Sequence, residues 1–181
     1  MDNLAIDLAN LLRWNPDGTP VDRLDLPEWF APYARRLGAK TDDAALREQL
    51  RELRPLVRDW LEKLARRTGR ASPGMLAGLN DWIGDVPVNC RLTVEHGRVV
   101  RQEQPAAHGA RWLAAALGLE LAELLTEYEP QRVKVCPNPL CRWVYYDETR
   151  GNIQRWCCYE CGNRDKVARY RARLKKQTRR K

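Results

Sequence analysis

The chain has only two histidines in 181 residues. It also lacks a Walker loop, a His-Glu-x-x-His pair, a Gly-x-Ser-x-Gly elbow and a glycine-rich dinucleotide fingerprint. Phosphoryl transfer, metal-assisted hydrolysis, acyl transfer and hydride transfer are therefore without their usual residues, and the expectation is that the protein is not an enzyme. No stretch approaches the roughly eighteen uninterrupted apolar residues of a membrane span. The opening Met1-Asp-Asn-Leu-Ala-Ile-Asp7 lacks the basic start and long apolar run of a secretory signal. A cytoplasmic location follows as the expectation, and thiols stay reduced there.

Acidic residues are scarce at one end. Residues 1–130 carry 17 Lys/Arg against 20 Asp/Glu, whereas residues 131–181 carry 15 against 4. A break this sharp marks a boundary between a neutral-to-acidic domain, 1–130, and a basic module, 131–181. Hydrophobic content of 44% with seven tryptophans is enough for a real core in the first of these.

Within 1–130 the patterns are mostly helical. Apolar spacing predicts a helix over 4–14, a short one from Pro27 to about Leu37, and a long one capped by Asp42 or Asp43. The long helix carries the stripe Leu46, Leu50, Leu53, Val57, Leu61 and Leu64 and should be kinked or split at Pro55. Ser72-Pro73 starts another helix with Met75, Leu79 and Trp82 on it. Residues 86–94 and 98–102 flank Glu95-His-Gly97, a β-hairpin signal, and 107–128 reads as a central apolar helix ended by Pro130. Trp14, Trp29, Trp60, Trp82 and Trp112 are expected in the core, Cys90 as a buried small hydrophobe, and His96 and His108 at the surface.

Five of the six cysteines fall between positions 136 and 161. In a reducing compartment such clustering favours metal over disulfides. Cys136-x4-Cys141 encloses Pro137 and Pro139, which stiffen the loop, and residues 133–135 and 143–146 flank it as short strands. The second pair is either Cys157-x3-Cys161 or Cys158-x2-Cys161, and spacing alone leaves both open. Four thiolates would complete a tetrahedral Zn²⁺ site with no vacant position for water. After Cys161, helical spacing places Val167, Tyr170 and Leu174 on one face, expected to pack on the zinc hairpin, and Arg169, Arg173, Lys176 and Arg180 on another. The fold class expected is thus α+β: a mainly helical N-terminal domain with a β-hairpin, then a small treble-clef-like zinc finger with a basic C-terminal helix.

Cys161-Gly-Asn-Arg164 resembles the motif that names the bacterial CGNR zinc-finger proteins. The flanks fit as well: Cys-Pro-x-Pro-x-Cys at 136–141, Trp143, Asp147, Arg-Trp-Cys at 155–157 and Lys-Val-Ala-Arg-Tyr-Arg-x-Arg at 166–173. The resemblance implies the ligand set Cys136, Cys141, Cys157 and Cys161, with Cys158 as an extra thiol. It also implies an N-terminal ABATE domain, described as a stress-induced transcription regulator. Leu4-Ala-Ile-Asp-Leu-Ala-Asn10 is similar to that domain's opening, although Leu11 and Leu12 stand where a threonine commonly follows the asparagine.

Residues 162–181 hold ten Lys/Arg and one Asp. Six phosphate contacts from such a segment would give a log–log salt slope of about −5 on duplex DNA. The expected contacts are Arg164, Lys166, Arg169, Arg171, Arg173, Lys175, Lys176 and Arg180. Arg164 has a structural alternative, clamping Asp147 or a loop carbonyl, while Asn163 is expected to cap the helix and Gly162 to let the backbone turn beside the metal. The expected function is a zinc-dependent, DNA-binding transcriptional regulator, with double-stranded DNA as partner, a homodimer through the N-terminal domain and a small-molecule effector of unknown identity. The alternative is a zinc-scaffolded adaptor for RNA, the ribosome or a protein partner.

Overall fold

A computed structural model describes residues 3–15, 19–37, 39–84, 86–95, 97–105 and 110–178, the side chains of 14, 95, 102–105, 110 and 174–178 excepted. His96, His108 and Arg180, together with the side chains of Trp14, Leu174, Lys175 and Lys176, lie outside the described residues.

The first helix, α1 (Leu4–Ala9), is shorter than its apolar spacing predicts. Asn3 caps it by accepting from the Ile6 amide at 3.0 Å. Residues Leu12–Trp14 do not continue the helix; they form β1, antiparallel to β2 (Pro20–Asp22). A 3₁₀ turn over Arg23–Asp25 leads into α2 (Pro27–Arg36), where proline occupies the first turn. The long helix α3 (Ala44–Arg66) starts where Asp43 Oδ1 accepts from the Leu46 amide at 2.9 Å. It runs through Pro55 undivided. Pro55 sits on the exposed side, where water can take the carbonyl that proline leaves unpaired.

Ser72 Oγ caps α4 (Pro73–Ile83), accepting from the Met75 amide at 3.3 Å. The hairpin β3 (Val88–Glu95) and β4 (Arg98–Pro105) turns through two residues, with Gly97 at φ +76°. Its second strand is longer than the sequence suggests. Cys90, Leu92 and Val94 on β3 are exposed, so the expectation of a buried Cys90 fails: nothing described packs on that side of the two strands. The central helix α5 (Ala110–Thr126) buries Leu113, Leu117, Leu121 and Leu124 completely.

Buried residues of α1, α2, α3, α4 and α5 form one apolar core, to which burial of each leucine contributes roughly 1.5–3 kcal/mol. Its largest side chains are leucines and Phe30, not the tryptophans. Trp60, Trp82 and Trp112 are half-buried at its margin, and Trp29 is exposed with the Arg23 guanidinium over its ring at 3.9 Å.

The last three elements are β5 (Val133–Val135), β6 (Val144–Tyr146), paired antiparallel, and α6 (Tyr159–Thr178). The strand period of two divides them between two cores: Val133 and Val144 join the helical core, while Tyr145 turns to a second cluster with Cys136 and Cys161. The seam is polar as well as apolar. Asn10 donates to the Val144 carbonyl at 2.8 Å and accepts from the Val144 amide at 2.9 Å. Arg58 donates to the carbonyls of Ala9, at 3.0 Å, and of Arg142, and Arg142 in turn pairs with Glu62 at 2.9 Å. Fold class is as expected, α+β with a helical N-terminal part and a C-terminal cysteine cluster and helix.

Candidate metal centre

The 136–141 loop is shaped by its own backbone. Cys136 N donates to Trp143 O at 2.8 Å, Cys141 N to Asn138 O at 2.9 Å, and Arg142 N to the same carbonyl at 3.0 Å. Arg142 takes the left-handed conformation, φ +49°, that closes the turn. The buried Asn138 side chain holds the loop from within: Oδ1 accepts from Leu140 N at 3.1 Å, and Nδ2 donates to Cys161 Sγ at 3.5 Å. Nothing in the sequence assigns Asn138 this role. Its only signal was an Asx residue between two prolines.

Cys157 precedes α6 and Cys161 lies in its first turn. The sulfurs of Cys136, Cys141, Cys157 and Cys161 all lie within 4.8 Å of one another. Cys141 and Cys157 are 3.5 Å apart, and Cys157 and Cys161 3.7 Å. A tetrahedron of sulfurs around Zn²⁺ at about 2.3 Å has edges of about 3.8 Å, so the donor set fits the ion. Burial pushes the Cys157 thiol far above the ordinary thiol range, reinforced by the adjacent Cys141 and Cys136 sulfurs. Burial also raises Cys161, but the Asn138 amide and the neighbouring thiols outweigh it and bring that group to about 7. Four thiolates this close need a divalent cation to coexist. Cys158 falls outside the group of four: its side chain is exposed and its sulfur lies 3.8 Å from Cys157 Sγ.

A second organiser sits behind the sulfurs. Asp147 is fully buried and accepts from Lys134 Nζ at 2.5 Å, from Thr149 N at 2.9 Å and Oγ1 at 2.5 Å, and from Gln154 N at 2.8 Å. Burial alone would raise this carboxyl, but Lys134, Thr149 and Gln154 hold it well below the usual carboxylate range. Lys134 also donates to the carbonyls of Asn152 and Gln154, which pins the 147–154 loop leading to Cys157.

This network removes the Asp147 clamp considered for Arg164: Lys134 occupies it, and Arg164 is exposed. Asn163 is no cap either. The helix starts at Tyr159, so Asn163 lies in its second turn with the side chain exposed. Nor does Gly162 turn the chain. It is helical, and a Cβ there would meet Trp156 Cδ1 at 3.1 Å, so its lack of a side chain admits the indole against the helix.

The face expected to pack on the zinc hairpin does not. Val167 is 43% and Tyr170 61% exposed. Beyond its first turn α6 is anchored by little that is described, and Lys166, Arg169, Arg171 and Arg173 are exposed with Arg164. Arg169 pairs with Asp165 at 2.7 Å.

Residues 132–174 match the CGNR zinc finger, and residues 2–128 match the ABATE model, "Putative stress-induced transcription regulator". No curated protein matches the chain. The ABATE match spans most of the sequence, so the chain belongs to that family, followed by a CGNR zinc finger that holds one structural zinc. Among the described residues no helix is long and apolar enough to cross a membrane.

Proposed function

We propose that this member of the ABATE family is a zinc-binding regulator that grips duplex DNA through α6, with Cys136, Cys141, Cys157 and Cys161 as the metal ligands. The carrying observation is the helix itself. Its first turn is tied to the metal cluster by Cys161, and its exposed turns carry Arg164, Lys166, Arg169, Arg171 and Arg173. Twenty residues of helix span about 30 Å, ample to lie across a major groove about 12 Å wide. Lys175, Lys176 and Arg180 would extend the same basic stretch. Zinc would act as a scaffold and not a reaction centre, since four thiolates leave it no position for water. In this reading the helical body supplies dimerisation or effector sensing, and the protein works in the cytoplasm without catalysis.

One observation favours a second reading, an adaptor for RNA or a protein. Val167 and Tyr170 form an exposed apolar step within the cations, and a tyrosine ring offers a stacking surface for an unpaired base. Selection from a random duplex pool beside an RNA pool separates the two. The DNA reading expects enriched duplex sequences, steep salt dependence and loss of affinity on deleting residues 165–181. Enrichment confined to RNA, or binding unchanged by the deletion, rejects it.

A further inference from the structure

Two arginines of the N-terminal body stand beside the zinc finger without a carboxylate partner among the described residues. Arg13 on β1 places its guanidinium 4.6 Å from the centre of the Trp143 ring. Arg23, at the start of the 3₁₀ turn, lies 5.8 Å from the same ring and 3.9 Å from that of Trp29. Trp143 in turn packs on the cluster that contains Cys136 and Cys161. Both arginines are half-buried, and among the described residues neither makes an ion pair.

Among the described residues, the nearby acids Asp22 and Asp25 do not serve them. Asp22 is taken by Arg54, through two contacts at 2.6 and 2.8 Å, and by Arg51 at 3.4 Å. Asp25 is taken by Arg51. Burial, and then the charge of Arg13, depress the basicity of Arg23, so the two cations feel each other. Stacking on indole offsets part of this repulsion and desolvation, while leaving the planar N–H edges free to donate. Two such forks held on rigid aromatic faces suit a tetrahedral oxyanion that accepts from both.

We infer that Arg13 and Arg23, stacked on Trp143 and Trp29, form an oxyanion site of the phosphate class at the seam between body and finger. The source of the phosphate is a nucleic-acid phosphodiester or free phosphate. The first rests on the DNA reading above and would make the body part of the interface; the second does not depend on it.

The test uses the full zinc-loaded chain and observes arginine Nε–H signals by NMR during titration with inorganic phosphate, with chloride at matched ionic strength as control. The expected result is that Arg13 and Arg23 shift together and saturate with phosphate alone. Arg23→Gln weakens the binding roughly tenfold, and Arg23→Lys, which keeps the charge but loses the fork, falls between. An Arg13→Gln chain guards against loss of the Trp29 stack as the cause. Absence of a saturable shift, or phosphate affinity unchanged from the wild type in both Gln variants, overturns the site. In a second arm, duplex DNA is titrated at several salt concentrations. A salt slope about 1 shallower in Arg13→Gln/Arg23→Gln assigns the site to the nucleic-acid backbone. An unchanged slope with phosphate binding intact assigns it to free phosphate. A wild-type chain that ignores duplex DNA but shows the phosphate shift rejects the DNA reading and keeps the site.

Discussion

In the body, leucines from α1, α3, α4 and α5 bury one another, with Phe30 and Tyr33 of α2 filling between them. In the finger, the buried set is Cys136, Tyr145 and Cys161, supported by half-buried Cys141, Trp143, Trp156 and Cys157. The first is held by apolar area, which is spread over many side chains. The second has too little area for that. It depends on a metal, on the Asp147 carboxylate and on Asn138, each of which organises several backbone groups. Yet the two share Val133 and Val144, and Asn10 bonds both polar atoms of the Val144 backbone. The finger is therefore a metal-dependent layer fixed to a metal-independent one.

The largest expected effect comes from removing the metal. Cys136→Ser should lower zinc content from one per chain to none, because a structural zinc contributes on the order of 10 kcal/mol to folding of its module. Helical signal equivalent to α6 should vanish while most of the body's signal persists. Zinc content is measured by metal analysis and helicity by far-UV circular dichroism. A chain that keeps its zinc would remove Cys136 from the ligand set, and a body that unfolds with the metal would erase the contrast drawn above.

Next in size is the seam. Asn10→Ala leaves the amide and carbonyl of Val144 buried without their partner, at a cost of about 2–4 kcal/mol. Because the loss falls between the layers, thermal unfolding should separate into two transitions, against a single one expected for the wild type. A single transition with unchanged midpoint would mean that the shared valines alone join the layers.

The Asp147 network should appear as a pH effect. Its folded-state carboxyl lies below the unfolded value of about 3.9, so its stabilisation is complete above about pH 5 and lost as pH falls through the folded value. Asp147→Asn should destabilise the finger by about 1–3 kcal/mol near neutrality. Its acid profile should also be flatter than the wild type's below about pH 5. Thiol protonation releases zinc from both chains in acid, so the difference between the two denaturation series isolates Asp147. Parallel profiles would contradict the network's role.

How much of this was legible beforehand depends on the range of each interaction. Some local signals held: Asp43 and Ser72 cap the helices that follow them, and Gly97 takes a positive φ in the hairpin turn. Signals that needed a distant partner did not. The apolar spacing after Ala9 fits a helix, but Asn10 is used by Val144, more than a hundred residues away, and Leu12–Trp14 pair with Pro20–Asp22. The apolar periodicity of Val167 and Tyr170 suggested a packed face, yet nothing described covers it. For the centre, spacing marked the cysteine cluster but could not rank Cys157 against Cys158. Only helix phase and loop geometry separate their sulfurs. Asn138 and Lys134 were illegible, since neither residue type at those positions announces a buried bond.

That pair of cysteines supplies the smallest expected effect and the sharpest test of which atoms hold the metal. Cys157 and Cys158 are neighbours in sequence, and their sulfurs are 3.8 Å apart. Only Cys157 lies within the group of four, whereas Cys158 is exposed at the mouth of α6. Cys158→Ser should therefore retain one zinc per chain and change stability by no more than about 0.5 kcal/mol, as an exposed substitution does. Cys157→Ser should lose the zinc. If ligation instead slides one residue along the chain, the two variants exchange behaviour. If both sulfurs take turns, each single variant keeps its metal and only the double variant loses it. Zinc content of the three chains, measured after dialysis against a weak chelator, distinguishes these cases. The one-sided result is expected because moving the bond to Cys158 would pull an exposed sulfur inward against the helix start that Cys161 already fixes.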